Sequence, residues 1–513
     1  MKHTGAEILI KLLERQGIQQ IAGIPGGANL PMYDALSRSG NIRHILARHE
    51  QGAGFIAQGQ ARVTGRPAVF FATSGPGATN AISAVADAKL DSIPVICITG
   101  QVPQAMIGTD AFQEIDTYGL SVPITKHSFF ARSSSELLEI VPAAFRIAQS
   151  GRPGPVWIDI PKDVQLEQVW VDEWPLPGRT ELLPKAGPSS IQLAATMINE
   201  AKRPIVYVGG GAIHSTASDR VRTMVETLNA PTVMTLMGLG AIPVRHPLSL
   251  GMLGMHAARY TNQALEECDM LIALGARFDD RATGKVAQFC PNAKIVHIDI
   301  DASELNKIKN AHVGIVADLN EALISIQPLV KSRPSDGWND RISQLKRSQP
   351  MQMEDLQNPL SPYGIIDYVA RMLEGETYIT TDVGQHQMRV AQAFPFERPR
   401  QWLTSGGLGT MGFGLPAAIG AALEKPEATV VCFSGDGSLL MNIQELITAV
   451  EENANVKIVL CNNNSLGLVH QQQDLFYGKR IFASNYSRAV DFRAIAEGFQ
   501  MEAFDLGDCN DPV

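Results

Sequence analysis

Three α/β domains, each built on a doubly wound parallel sheet, are what this sequence predicts, and three observations predict them. The chain has 513 residues, well past the ~250–300 at which a single hydrophobic core stops growing. Short Val- and Ile-rich runs, apolar at consecutive positions, alternate with longer helical stretches. That is the pattern of parallel strands buried on both faces with helices between them. Two segments rich in proline and polar residues, 165–190 and 331–362, break the rhythm and read as linkers. The domains therefore fall at 1–165, 186–330 and 360–513.

The first element is an amphipathic helix within MKHTGAEILIKLLERQG. Lys11 and Glu14 interrupt its apolar run and no small-residue cleavage site follows, so it does not read as a signal peptide. The strands follow in order as PAVFFATSG, IPVICITGQ and PVWIDIP, then PIVYVGGG, MLIALGARF and KIVHIDID, then TYITTDVG, ATVVCFSGDG and VKIVLCNNN. Several end in Gly, Asp or Asn. In such sheets ligands bind beyond the carboxyl ends of the strands, so those endings are the places to search.

Composition excludes several classes. A net charge of −9 gives no electrostatic footprint for nucleic acid. No window approaches the ~18 uncharged apolar residues of a membrane span. The six cysteines, Cys97, Cys268, Cys290, Cys432, Cys461 and Cys509, form no CxxC pair and read as reduced thiols in a cytoplasm.

The strand ATVVCFS runs into Gly435-Asp436-Gly437-Ser438, a helix follows, and the next strand ends in Asn462-Asn463-Asn464. Asp436 and Asn463 are 27 positions apart, the length of one strand–helix–strand unit, so both side chains emerge at the same end of adjacent parallel strands. A carboxylate and an amide oxygen there suit Mg²⁺, with places left for a backbone carbonyl and phosphate oxygens. Each half alone is weak: a Gly-Asp-Gly is more often a turn, and an Asn run more often a solvated loop. Gly407–Gly412 also satisfies GxGxxG, which by itself suggests a nicotinamide dinucleotide. The Asn run after the following strand is no part of that fingerprint.

Taken with IPGGANLPMYDAL, RHEQGAGFIAQGQAR, TSGPGATN, IGTDAFQE, SGRPGPVWIDIPKDVQ, GARFDDR, TTDVGQHQM and SGGLGTMGFGLPAA, the chain resembles the acetolactate (acetohydroxyacid) synthase family over nearly its whole length. The resemblance implies pyrimidine-binding, central FAD-binding and diphosphate-binding domains in that order. It implies thiamine diphosphate, Mg²⁺ and FAD as cofactors. The reaction implied is decarboxylation of pyruvate and condensation with a second 2-keto acid, pyruvate or 2-ketobutyrate, on the way to valine, leucine and isoleucine. A homodimer with the site between chains, and a small regulatory subunit, are implied as partners.

The same resemblance assigns residues. Glu50 contacts the aminopyrimidine ring and drives general acid–base work through it. Gly26, Gly27 and Gln113 line the reacting carbon, and Lys162 stands at the entrance. Gly384, Gln385, His386, Gly409, Gly437 and Ser438 contact the cofactor, and Met411 wedges it into a bent shape. Asp436, Asn463 and the backbone carbonyl of Ser465 ligate Mg²⁺. Gly209, Gly210, Gly211, Asp299 and Asp301 bind FAD, together with Arg152, Met255, Arg277 and Asp318. Arg277 also forks onto the carboxylate of the second keto acid, beside a structural pairing with Asp279 or Asp280.

Departures carry meaning too. Gln472 stands where many relatives have Trp, which shapes the acceptor pocket, so pyruvate is expected to compete well against 2-ketobutyrate. Arg389 and Ala257 also differ from the common residues, without an assignable consequence. Relatives continue past the position of Val513 through another strand and a tail, so the last domain is expected to end short. The competing readings are a pyruvate oxidase, a FAD-free catabolic acetolactate synthase, and an inactive truncated subunit.

Overall fold

Every Val- and Ile-rich run folds as a strand. The computed structural model describes residues 1–334 and 337–508; Cys509 and the last residues through Val513 lie outside the described residues. The amphipathic start is helix α1 (Gly5–Arg15), opened by a reciprocal cap in which Thr4 N donates to Glu7 Oε2 and Glu7 N to Thr4 Oγ1.

Three parallel sheets follow in chain order. The first holds β1 (Gln20–Gly23), β2 (Arg43–Leu46), β3 (Ala68–Ala72), β4 (Val95–Gln101), β5 (His127–Phe130) and β6 (Val156–Pro161), in the spatial order β2-β1-β3-β4-β6-β5. The second holds β7 (Pro204–Val208), β8 (Thr232–Met234), β9 (Ser249–Met252), β10 (Met270–Leu274), β11 (Lys294–Asp299) and β12 (Val313–Val316), ordered β9-β8-β7-β10-β11-β12. The third holds β13 (Thr377–Thr381), β14 (Trp402–Leu403), β15 (Thr429–Gly435) and β16 (Val456–Cys461), ordered β14-β13-β15-β16. In each the order reverses at a strand, giving the crevice that such sheets use for ligands.

The chain divides into two compact units. One comprises Met1–Glu181, Glu374–Gln387 and the described residues from Leu403 onward; the other comprises Leu182–Leu373 and Met388–Trp402. Within the first unit, the first and third sheets share one core. Ala22, Ile45, Phe70 and Trp157 belong to the same buried cluster as Tyr378, Leu415, Val430 and Cys432.

Two helices in this unit explain the sharing. Helix α2 (Glu50–Thr64) is buried along most of its length with Gln58, Gln60 and Arg62 inside, and helix α5 (Gly414–Glu424) is built of small and apolar residues nearly all round, the composition of a fully buried helix. They approach backbone to backbone: a Cβ at Gly59 would stand 2.1 Å from Ala417 O, and one at Gly420 would stand 2.0 Å from Ile56 O. Helix α3 (Pro76–Asp91) packs beside α2.

The second unit has its own core around Tyr207, Phe278 and Phe289, whose rings meet edge to face. Here the structure corrects the linker reading of 331–362, because Gly337–Ser348 is a helix. It buries Trp338, Ile342 and Leu345 in that core, and Trp338 Nε1 donates to Pro204 O at 3.1 Å.

Candidate functional site

The strand ends of the third sheet bring one set of predicted residues together. Gly435 pairs with Cys461, so β15 and β16 end level and Asp436 and Asn463 leave the sheet from neighbouring strands. The single helix expected after Gly437 is two pieces, Asp436–Leu439 and α6 (Glu445–Glu451), separated by a short break. Asp436 is buried, and its Oδ2 has no hydrogen-bond partner among the described residues. A buried carboxylate oxygen left so is costly, and a cation would satisfy it.

Asn463 is exposed, and its Oδ1 accepts from Ser465 N at 3.1 Å and from Ser465 Oγ at 3.2 Å. Helix α7 (Gly467–Phe476) starts against the same group: a Cβ at Gly467 would stand 2.5 Å from Asn463 Nδ2 and 2.6 Å from Gln385 Oε1. His386, buried on helix α4 (Gln385–Ala393), lies over two glycines, since a Cβ at Gly384 or at Gly435 would meet its ring at 3.0 Å. Ser438 Oγ accepts from Gly435 N at 3.3 Å. Gly437 has room for no side chain, because a Cβ there would sit 2.6 Å from the Tyr486 hydroxyl. A cavity of about 530 Å³ opens here, lined by Gln385, Asn463, Ser465, His470, Asn485 and Tyr486 among others. Gln472 is exposed on α7 and is not among its lining residues, whereas Gln471 is.

The loop carrying Gly409 and Met411 is gripped by buried carboxylates at both ends. Asp382, at the end of β13, accepts from Gly412 N at 2.8 Å and Gly414 N at 3.2 Å. At the other end Asp91 accepts from Gly406 N at 3.0 Å and Gly407 N at 2.7 Å, while Asp87 accepts from Ser405 Oγ and from Thr410 Oγ1 at 2.9 Å. Arg62 compensates both: it donates to Asp91 Oδ2 at 2.9 Å and Asp87 Oδ1 at 3.3 Å, and its guanidinium stands 4.9 Å from the centre of the Phe413 ring. Burial, then Asp91, push the Asp87 carboxyl up to about 6 against the pull of Arg62. Burial alone does the same to Asp382, also to about 6. Gly409 has φ +71° and Met411 is half-buried.

In the first sheet, the ends of β1, β2 and β3 gather a second set. Glu50 opens α2 and is buried, with Oε2 accepting from Asn80 Nδ2 on α3 at 3.0 Å. Gly77 and Gly26 both press on Thr73, whose Oγ1 is buried without a partner among the described residues. Gly27, next to Gly26, has nothing within 4 Å of where a Cβ would lie. Gln113 adopts φ +61°, and its Cβ and carbonyl oxygen pack against Gly75 at 2.8 Å from an added Cβ. The segment behind it is tied by Gln101 Nε2, which donates to Ile115 O at 3.0 Å and to Asp159 Oδ2 at 3.1 Å. Burial pushes the Asp159 carboxyl up to about 7. Lys162 follows β6 and is half-buried. Arg152 donates to Ser92 Oγ at 2.9 Å.

The second unit places its own predicted residues after the ends of β7, β9, β10, β11 and β12. Gly209 and Gly211 are required by packing: Cβ atoms there would stand 2.0 Å from Gly275 O and 2.7 Å from Gly275 Cα. Gly210 lies against Met237. Asp299 accepts from Asp301 N at 2.9 Å, Asp301 from Ser303 N at 3.0 Å, and Asp318 caps the helix Leu319–Ile326 through Glu321 N. Met255 is exposed and Arg277 half-buried. Asp279 caps Arg281 N and Ala282 N, and Asp280 pairs with Arg281.

Sequence reasoning assigned no role to Asn80, Asp87, Asp91, Asp382, Glu445 or Tyr486. Asn80 stood inside the quoted TSGPGATN and Asp382 inside TTDVGQHQM, and the others gave no local signal. Three family models match in order: the N-terminal TPP binding domain of thiamine pyrophosphate enzymes over 3–120, their central domain over 191–326 and their C-terminal TPP binding domain over 382–511. The chain is 60% identical over 511 residues to the acetolactate synthase isozyme 1 large subunit of Escherichia coli K12, covering 100% of this chain and 91% of that one. It is 43% identical to the isozyme 3 large subunit of the same organism, over 97% of this chain and 88% of the relative. With the chloroplastic acetolactate synthase 1 of Nicotiana tabacum it shares 47% identity, over 92% and 72% respectively. The chain therefore belongs to the thiamine pyrophosphate enzymes, and within them to the acetolactate synthase large subunits.

Proposed function

We propose that this chain makes acetolactate from two molecules of pyruvate, or acetohydroxybutyrate from pyruvate and 2-ketobutyrate, with release of CO₂. The observation that carries the reading is the buried, unpartnered Asp436 Oδ2 at the mouth of neighbouring strands, beside Asn463, Ser465 and a cavity of about 530 Å³. Bound thiamine diphosphate supplies a nucleophilic carbon once its C2 proton is removed, and Mg²⁺ neutralises the diphosphate.

The residues fit those groups. Asp436, the Asn463 side-chain oxygen and the Ser465 carbonyl are hard oxygen donors suited to Mg²⁺. Gly384, Gln385, His386, Gly437 and Ser438 present backbone and polar groups to phosphate oxygens. Gly409 and Met411 support the ring system from a loop held rigid by Asp382, Asp87 and Asp91. Glu50, its carboxylate oriented by Asn80 at 3.0 Å, would be the group that exchanges a proton with the aminopyrimidine ring. Gly27 leaves space for the reacting carbon, Gln113 lines it and Lys162 stands at the entrance. Arg277 is assigned the carboxylate of the second keto acid, and Gln472 the acceptor pocket.

In the second unit, Gly209, Gly210, Gly211, Met255, Asp299, Asp301 and Asp318 are assigned to FAD, the glycines permitting close approach of the backbone to a pyrophosphate. Arg152 is assigned to it on the family likeness. The functional domains are proposed at 1–165, 186–330 and 360–513. A homodimer and a small regulatory subunit are proposed as partners, the latter because the bacterial relatives are large subunits. A cytoplasmic setting is proposed: the five described cysteines form no disulfide, as in a reducing compartment; among the described residues no helix is long and apolar enough to cross a membrane.

The test is acetolactate formation from pyruvate by the purified chain, with thiamine diphosphate, Mg²⁺ and FAD added singly and together. Product that requires thiamine diphosphate and metal, and a loss of most turnover in Glu50→Gln with cofactor binding kept, are the expected results. Product formed without thiamine diphosphate would overturn the reading.

A further inference from the structure

Helix α6 reaches the segment leading into α2 through a buried side chain. Glu445 is fully buried, and its Oε1 accepts from the backbone N–H groups of Arg48 and His49, each at 3.0 Å. Its Oε2 accepts from Thr448 Oγ1 at 2.7 Å. Those two amides immediately precede Glu50. The opening turn of α2 makes room for the intruding carboxylate, since a Cβ at Gly52 would stand 2.3 Å from Glu445 Oε1. Burial raises the Glu445 carboxyl, and the Thr448, Arg48 and His49 bonds oppose that rise. Three hydrogen bonds to one buried group are what make its burial tolerable.

We propose that Glu445 is a positioning residue for Glu50, acting by clamping the two peptide units that lead into it. The inference rests on the acid–base role given to Glu50 above. Glu50 is then oriented from two directions: Asn80 holds its carboxylate at 3.0 Å, and Glu445 holds the backbone of the two residues before it. The adjoining pairs Arg48–Glu451 and Arg43–Glu452 reach the surface, where ion pairs contribute little. The buried clamp is the contact that sets the aim. Small misplacements of a proton-transfer group cost rate steeply, because such transfers need heavy atoms within hydrogen-bond reach.

The experiment compares Glu445→Ala, Glu445→Gln, Gly52→Ala, Glu50→Gln and Glu50→Gln/Glu445→Ala in the full chain. Three quantities are read. They are amide deuterium uptake at residues 48–52 without cofactor, the half-saturating concentration of thiamine diphosphate, and the rate at which the C2 proton of bound thiamine diphosphate exchanges with deuterium. Glu445→Ala is expected to speed amide uptake and to slow C2 exchange by about tenfold or more, with half-saturation unchanged within about threefold. Glu445→Gln keeps an acceptor oxygen and recovers most of the exchange rate. Gly52→Ala, which displaces the carboxylate, reproduces the Ala defect if Glu445→Ala fails to fold. The double variant exchanges no more slowly than Glu50→Gln alone, because both changes act on one proton transfer. An exchange rate in Glu445→Ala close to that of the native chain, or a loss that multiplies onto that of Glu50→Gln, would overturn the proposal. Native exchange in Glu50→Gln instead removes the premise and identifies the acid–base assignment as the failure.

Discussion

The Asp91 carboxylate accepts the backbone N–H of Gly407 at 2.7 Å, across 316 positions of sequence. With Asp87 and Arg62 it makes a buried charged group that holds the loop carrying Gly409 and Met411. The loop proposed to support the cofactor is thus anchored by buried charged side chains far from it in sequence.

Arg62→Met tests that delegation. The change leaves two buried carboxylates facing each other with their cation gone. Breaking a buried pair from one side costs about 3–5 kcal/mol. Urea unfolding is expected to show a loss of that size. In whatever folds at low temperature, the concentration of thiamine diphosphate needed for half-maximal activity rises.

Asp159 gives a prediction with a sign. Burial raises its carboxyl from 3.8 to about 7, so between those values the folded chain binds more protons than the unfolded one. Its contribution to stability is therefore greatest in acid and falls as pH rises through that window, by about 1.4 kcal/mol per pH unit. Asp159→Asn removes the titration. The stability difference between variant and native chain, from urea unfolding at pH 5, 6 and 7, should shift in favour of the variant as pH rises. A difference that stays flat contradicts the shift.

Gly59 and Gly420 test the helix contact. Alanine at either places a Cβ about 2 Å from a carbonyl oxygen of the opposing helix, and overpacking of this kind costs about 1–3 kcal/mol or more. Thermal unfolding should show each loss. The double variant should lose less than the sum, because the first substitution already separates α2 from α5.

Gln472→Trp tests acceptor choice. Fed pyruvate and 2-ketobutyrate together, the variant is expected to yield a higher ratio of acetohydroxybutyrate to acetolactate than the native chain. An unchanged ratio, measured by product chromatography, removes Gln472 from the acceptor pocket.

What could be read from the sequence follows the range of the interactions involved. Runs such as TVVCFSG and VICITGQ announce themselves because both faces of each strand are buried. Gln20–Gly23, Arg43–Leu46 and His127–Phe130 carry polar residues and lie toward the edge of their sheet, where the apolar signal thins. Gly337–Ser348 was hidden by the Pro- and Asp-containing stretch before it, although Trp338, Ile342 and Leu345 have helical spacing. At the site, Asp436 and Asn463 were legible because one strand–helix–strand unit fixes their separation. Asp91 with Gly407, and Glu445 with His49, are invisible by the same logic. Each pair is a carboxylate meeting a peptide N–H hundreds of positions away, and a peptide N–H leaves no mark in a sequence.

Gly26 and Gly27 are neighbours with opposite reasons to lack a side chain. A methyl group on Gly26 collides with Thr73 at 2.6 Å, while one on Gly27 meets nothing within 4 Å. The first glycine is demanded by the fold, and the second is indifferent to it. An alanine at Gly27 therefore behaves as a ligand carried by the chain itself, occupying one methyl's worth of the volume in front of the loop. With Gly27 in the place proposed for it beside the reacting carbon, a series graded from alanine to valine to leucine gauges how much room the reaction uses.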